Sequence, residues 1–461
     1  MQTTGVIKIG LFVFMLVLLS NVEAHASTIN AASCSASDVQ AAINLATDGD
    51  TVLVPGGSAT WAATVTVTIG ITLNGQGCVV QWPSSPTGFL VVKAGTAANT
   101  FITGFTFNGA YQPFGSCGAP IELQTATGTK PYRFHGNTLN LSPGGVGGNA
   151  ARLIGTMGDG PGLIDHNTFN AAGVGGDEWI QNCGSGNEST WTGDVVPGGP
   201  NMIFIEDNTF NNVASNGCCI SGYRGTKFVG RHNCMQYANF DGHSDTPPNV
   251  GTRWEEIYQN NYVVTTLPDG GAGGFTMATM QNLRGGSGVF WGNHAVVSCS
   301  NLSPITSCGN NQTCTGHSLG PIPGSSDPTS GPYPIPHQAG FGIESPTGAF
   351  HYSPMYTWGN DSLLGGLSTN EASYVQIGPS PSSSSCTAQS TGHPSNRCEG
   401  VDLGPSGTAT GLMRCESAAD LAAGCPVTYA YTPYTYPHPL QNGGGGSTPP
   451  APPTNIKVTL Q

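Results

Sequence analysis

FHGNTL at Phe134–Leu139, IDHNTF at Ile164–Phe169, IEDNTF at Ile205–Phe210, IYQNNY at Ile257–Tyr262 and FWGNHA at Phe290–Ala295 are one phrase. It reads: an apolar residue, two variable residues, Asn, one more, then another apolar residue. A degenerate copy around Asn233 has Gly230 in the first apolar slot. The asparagines Asn137, Asn167, Asn208, Asn233, Asn260 and Asn293 are spaced by 30, 41, 25, 27 and 33 residues. A fixed phrase returning at such intervals is the signature of a solenoid, and these short apolar runs are strands. The expected fold is all-β: a solenoid coiled from strands with an N-terminal capping helix. About ten coils fit, each adding about 4.8 Å of height.

The spacing is uneven although the phrase is constant. Strands therefore keep register while loops of variable length bulge from one side, the longest at 171–200 and 298–340. Thr100–Asn108 alternates Phe101, Thr103, Phe105 and Phe107 and reads as one coil strand. Near the start, Ser37 with Gln40 forms a capping box before the stripe Val39, Ala42, Ile43 and Ala46, and Gly49 stops that helix. Thr51–Val54, closed by Pro55, is the next strand, followed by alternation at Val65, Val67 and Ile69. A helix at the blunt end of a solenoid would cover open strand edges.

Outside the solenoid, taken as 27–440, lie two other segments. Residues 1–26 read as a secretory signal peptide: Lys8, an apolar run from Ile9 to Leu19, then Ala24-His25-Ala26 as the small-x-small cleavage pattern. The Gly- and Pro-rich stretch 441–461 is a linker-like tail. No later stretch reaches membrane-spanning length. The 14 cysteines of an exported chain favour disulfides, with Cys34–Cys78, Cys386–Cys398 and Cys415–Cys425 as candidates, and no C-x-x-C is present. A net charge of −13 with 13 Lys plus Arg excludes a nucleic-acid binder of the usual basic kind. The oligomeric state is not encoded in any motif.

Ser37–Pro55 (SDVQAAINLATDGDTVLVP), the Asn phrases and YTYPHPL at Tyr434–Leu440 together resemble secreted right-handed parallel β-helix proteins of the pectate-lyase-like superfamily, which implies a single-stranded right-handed parallel β-helix here. Leu163-Ile164-Asp165-His166 is similar to the Trp-Ile-Asp-His run of pectate lyases. The Arg-x-Pro-x-x-Arg element that carries their catalytic arginine has no counterpart here. The resemblance thus implies a fold, which also hosts hydrolases and adhesins, more than a reaction.

Aligning on the asparagines, which should stack as an internal amide ladder, exposes the residues beside them. Strand side chains alternate, so the residue after the apolar one points outward. That column reads His135, Asp165, Glu206, Arg231, Tyr258, Trp291. The next one, at the turn, reads Gly136, His166, Asp207, His232, Gln259, Gly292. Carboxylates on neighbouring coils can share a Ca²⁺ ion, with Asp165, Glu206 and Asp207 as ligands. Arg231 or His232 is then base or charge stabiliser in β-elimination on a uronate, with Asp165 and Glu206 completing the catalytic set. Tyr258 and Trp291 stack on sugar rings, and His166, Asp241 and His243 extend the subsites. Asp241-Gly-His243-Ser-Asp245 and Arg253-Trp-Glu-Glu256 lead into Tyr258, where Glu256 shares the tyrosine's face and Glu255 takes the other. A polysaccharide hydrolase using Asp165 with Glu206 or Asp207 is one alternative. Another is a non-enzymatic adhesin or matrix solenoid, on which these charges are cross-strand pairs of a solvated face. The expected partner is an extracellular, acidic polysaccharide.

Overall fold

The computed structural model describes residues 26–82, 88–110, 112–113, 117–126, 128–142, 151–171, 178–185, 196–212, 220–236, 238–243, 252–263, 279–284, 288–304 and 432–442, with short strands between 315 and 429. The expected signal peptide (except Ala26), the tail beyond 442, much of both long loops and the pairs Cys386–Cys398 and Cys415–Cys425 lie outside those residues. The described chain is nearly all β, with a single α-helix at Ala36–Leu45.

Three sheets of 12, 11 and 10 strands dominate, almost entirely parallel. The chain visits them in rotation. Tyr132–His135 lies in the first sheet, Thr138–Ser142 in the second and Ala151–Met157 in the third. Gly162–Asp165 then pairs with Tyr132–His135 one level on. This is the arrangement of a parallel β-helix. Apolar side chains from all three sheets meet inside, where Phe134, Ile164, Ile205, Ile257 and Phe290 are fully buried. Gly230 fills the same slot without a side chain because a Cβ there would meet the Phe240 ring at 2.2 Å.

From Tyr132 to Ser298 the corner from first to second sheet is the constant part. His135 to Thr138, Asp165 to Thr168, Glu206 to Thr209 and Arg231 to Cys234 are each bridged by two residues. The first of the two is left-handed: Gly136, His166, Asp207, His232, Gln259 and Gly292 have φ between 53° and 62°. The second is the asparagine. Asn208 accepts from the Asn167 N–H and Nδ2, both at 3.0 Å, and donates to Ile164 O and to the Asn233 side chain. The same pattern joins Asn137 through Asn293 and continues to Asn360, a rung the sequence phrase did not reveal. A second, half-buried ladder runs Asn108, Asn140, Asn170, Asn211 along the second sheet.

Several expectations require correction. Connections of variable length leave from the other two corners, not from one side: Ser142 to Ala151 and Ala171 to Glu178 at one, Cys183 to Ile203 and His243 to Trp254 at the other. Thr100–Asn108 is two strands, Thr100–Thr103 and Thr106–Ala110, because Gly104 at φ 75° turns the corner there. The helix is capped by Ser35 rather than Ser37, its side chain accepting from Asp38 N–H. Gln40 does not form a capping box; it brackets Thr66, accepting its N–H and donating to its C=O. Thr66 lies on the end strand of the third sheet, so Gln40 occupies otherwise open edge groups.

Cys34–Cys78 forms as expected. Cys117–Cys183 and Cys234–Cys299, separated by 66 and 65 residues, add two more covalent ties.

Candidate functional site

The register aligned on asparagine holds residue for residue. His135 pairs with Asp165, Asp165 with Glu206, Glu206 with Arg231, Arg231 with Tyr258 and Tyr258 with Trp291, on successive strands of the first sheet. Their side chains leave the outer face, away from the apolar interior. That face is not bare. Segment 432–442 crosses it, and beneath it Asp165, Glu206 and Arg231 have no exposed surface.

Two arginine forks organise the face. Arg133 grips Asp165 with Nε at 2.8 Å and Nη2 at 2.6 Å, and its Nη1 donates to Leu440 O and Gln441 O. Arg231 grips Glu206 with Nε at 2.5 Å and donates through Nη1 to the Tyr258 hydroxyl at 2.8 Å. Its remaining N–H groups reach Tyr434 O at 2.6 Å and Thr435 O at 2.9 Å. The other oxygen of Glu206 accepts from His438 N–H and Gln441 Nε2. Asp207 accepts from the Tyr436 hydroxyl at 2.7 Å and from Gln441 Nε2 at 2.9 Å. Tyr436 also stacks on His232 with ring centroids 3.6 Å apart.

Burial works against the charge of Arg231, but Tyr258 and Glu206 outweigh it and raise its pKa. Arg231 therefore remains a guanidinium. It can stabilise charge and cannot serve as a base. Burial raises the Glu206 carboxyl against the pull of Arg231. Burial lowers His232 to about 4, so its ring is neutral at pH 7. His438 is lowered to about 3, by burial first and then by the Arg231 charge. Its Nδ1 accepts from Leu440 N–H, so the neutral ring carries its proton on Nε2.

These histidines give a pH prediction. A histidine whose folded pKa lies below the unfolded value of about 6.5 contributes most above that value, and its contribution is lost as pH falls toward the folded pKa. For the buried His438 the window runs from about pH 6.5 down to about 3. By pH 4.5 the loss is about 2–3 kcal/mol. Unfolding midpoints taken across this range should fall with acid, and His438→Gln should flatten the slope. An unchanged slope in that variant would remove His438 from the account.

As the molecule stands, the three carboxylates expected to bind Ca²⁺ do not fit a cation. Both oxygens of Asp165, Glu206 and Asp207 already accept N–H or O–H donors, and two of the three face a guanidinium. Tyr258 is not an open sugar platform: Trp291 covers one face at 4.8 Å and Arg231 lies 5.8 Å from its ring centroid. Trp291, half-buried, is the more accessible of the pair. His166 is the exposed member of the group, its side chain 54% accessible, with Nδ1 2.8 Å from Asp165 Oδ2.

Asp241 and His243 do not join this face. They sit on the third sheet, where Asp241 pairs with Ser221 and Ser221 with Gln181. All three are buried. Gln181 Oε1 accepts from Cys117 N–H, while Gln181 Nε2 and Ser221 Oγ have no hydrogen-bond partner among the described residues. The side chain of His243 and the whole of Asp245 lie outside the described residues. Glu256, on the Tyr258 face, accepts from Trp254 Nε1 and Gly198 N–H, and Glu255 lies on the opposite face.

Sequence reasoning missed Arg133 and the docking of 432–442. Arg133 lies one residue before the repeated phrase, outside the aligned columns. Its signal was available in principle: it precedes Phe134 by one residue and so shares the face of His135.

No protein-family model matches the chain, and no curated protein does. Among solved structures, a mannuronic-acid-specific polysaccharide family 6 lyase from human gut microbiota is similar with a TM-score of 0.32 and 14% identity, over 72% of this chain and 74% of that one. At that level the chemistry has to be argued from the residues.

Proposed function

We propose that the protein is exported and binds an extracellular acidic polysaccharide along the outer face of its first sheet. One observation carries this reading: in a chain with 13 Lys plus Arg, Arg133 and Arg231 both present forked N–H donors from this face. Each fork is aimed by a carboxylate on the neighbouring coil, and each directs its free edge at pairs of oxygen atoms. A guanidinium held this way suits the paired oxygens of a uronate. Three disulfides among the described residues accord with an oxidising, extracytoplasmic location.

Cleavage is the finer form of this reading. Arg231 would offset the charge developing on the uronate carboxylate, and neutral His232 would accept the adjacent proton. The bond to the glycosidic oxygen then breaks, leaving a carbon–carbon double bond, and the departing oxygen takes up a proton from water. The non-enzymatic reading has its own support: in the covered state every charged atom of the column is already satisfied.

Retention on immobilised polyuronates and on neutral glucans, with and without Ca²⁺, tests the proposal. Polyuronate should be retained and glucan should not, and Arg133→Lys, which keeps the charge but loses the fork, should weaken retention about tenfold, or about 1.4 kcal/mol. Equal retention of both polymers would refute it. Ultraviolet absorbance from an unsaturated product separates cleavage from binding.

A further inference from the structure

Segment 432–442 has the contacts of a bound ligand more than those of a sheet component. It forms no strand pairing with any of the three sheets and ends in a short 3-10 turn at Pro439–Asn442. Five of its contacts to the charged face use main-chain atoms: the carbonyls of Tyr434, Thr435, Leu440 and Gln441 and the N–H of His438. Only Tyr436 and Gln441 add side-chain bonds to the column's carboxylates. Residues 435–437 are exposed, so the segment is the outermost layer.

The face beneath is organised without it. Both Nε–carboxylate contacts, the second arm of Arg133 on Asp165 and the Arg231–Tyr258 bond lie wholly within the first sheet. Removing the segment would therefore leave two aimed forks with vacant N–H groups, not collapsed side chains. A groove that keeps its shape when emptied can exchange its occupant, because the free state requires little reordering.

We propose that segment 432–442 is an exchangeable occupant of the arginine-lined groove, holding it closed in cis until a competing chain of oxygen acceptors displaces it. That the competitor is an acidic polysaccharide rests on the function proposed above. Occupancy by a tethered segment lowers the apparent affinity of any competitor by the fraction of molecules in which the groove is open.

The test uses the full chain and a labelled peptide of sequence 432–442. In Tyr436→Ala/Gln441→Ala the bonds to Asp207 are removed and one to Glu206 is lost, so the tethered segment is held less often. The labelled peptide should bind this variant at least tenfold more tightly than the wild type, whose groove is filled. Gln441→Ala alone should fall between them, and serves if the double variant does not fold. Polyuronate should displace the bound peptide from either variant. Peptide binding to neither variant, or equal binding to variant and wild type, would overturn the exchange. Selective peptide binding that polyuronate fails to displace would leave the exchange standing and refute the polysaccharide reading of this groove.

Discussion

Arg231→Ala is expected to destabilise the protein by about 3–5 kcal/mol, the range for stripping one partner from a buried ion pair. Glu206 would remain without exposed surface, facing only His438 N–H and Gln441 Nε2. Tyr258 would lose the donor to its hydroxyl, and the carbonyls of Tyr434 and Thr435 would lose theirs. Arg231→Ala with Glu206→Gln should recover part of the loss, since the uncompensated carboxylate is then gone. His294, half-exposed and 3.3 Å from Asp361, is the control: His294→Ala should cost no more than about 1 kcal/mol. Denaturant unfolding followed by tryptophan fluorescence measures all three. A cost below about 1 kcal/mol for Arg231→Ala would show that water reaches Glu206 and that the column is a solvated face after all.

The second large effect is expected in the amide ladder. Asn208→Ala would leave the Asn167 N–H and the Ile164 carbonyl without the partners that Asn208 supplies, both inside the coil. Each buried group so stranded costs about 1–3 kcal/mol, which puts the substitution near 3–5 kcal/mol. Asn140→Ala removes a residue of the same type from a ladder too, but one that is only half-buried. Water can replace its amide, so about 1 kcal/mol or less is expected. Equal costs at the two positions would mean that amide stacking itself, rather than burial, sets the energy.

These two predictions also mark what could be read without coordinates. The Asn phrase reports the first sheet well because its corner is two residues long in every coil that carries the phrase, so side-chain parity survives from coil to coil. Counting from Asn167 and Asn208 placed Asp165 beside Glu206 correctly. The third sheet has no such ruler. It lies between the two corners where connections vary, and Asp241 was accordingly grouped with Tyr258 although they belong to different sheets. The docking of YTYPHPL was illegible for another reason. Arg231 and Tyr434 are 203 residues apart, Arg133 and Leu440 307 apart, and no periodicity links such partners. A charged column with no visible cover looks like a groove open to solvent. Only the cover shows that its carboxylates already have donors.

The long reach of that segment has a bearing on how the molecule is made. The coils from Tyr132 to Tyr258 can stack from neighbour contacts as soon as they leave the ribosome, whereas segment 432–442 emerges only after all of them. Until that segment has been made, the two arginine forks are therefore unsealed. Contacts completed this late are expected to be absent from the folding transition state, so weakening them should hasten unfolding while leaving the folding rate nearly unchanged. The segment would then act on the lifetime of the finished protein rather than on the speed of its assembly.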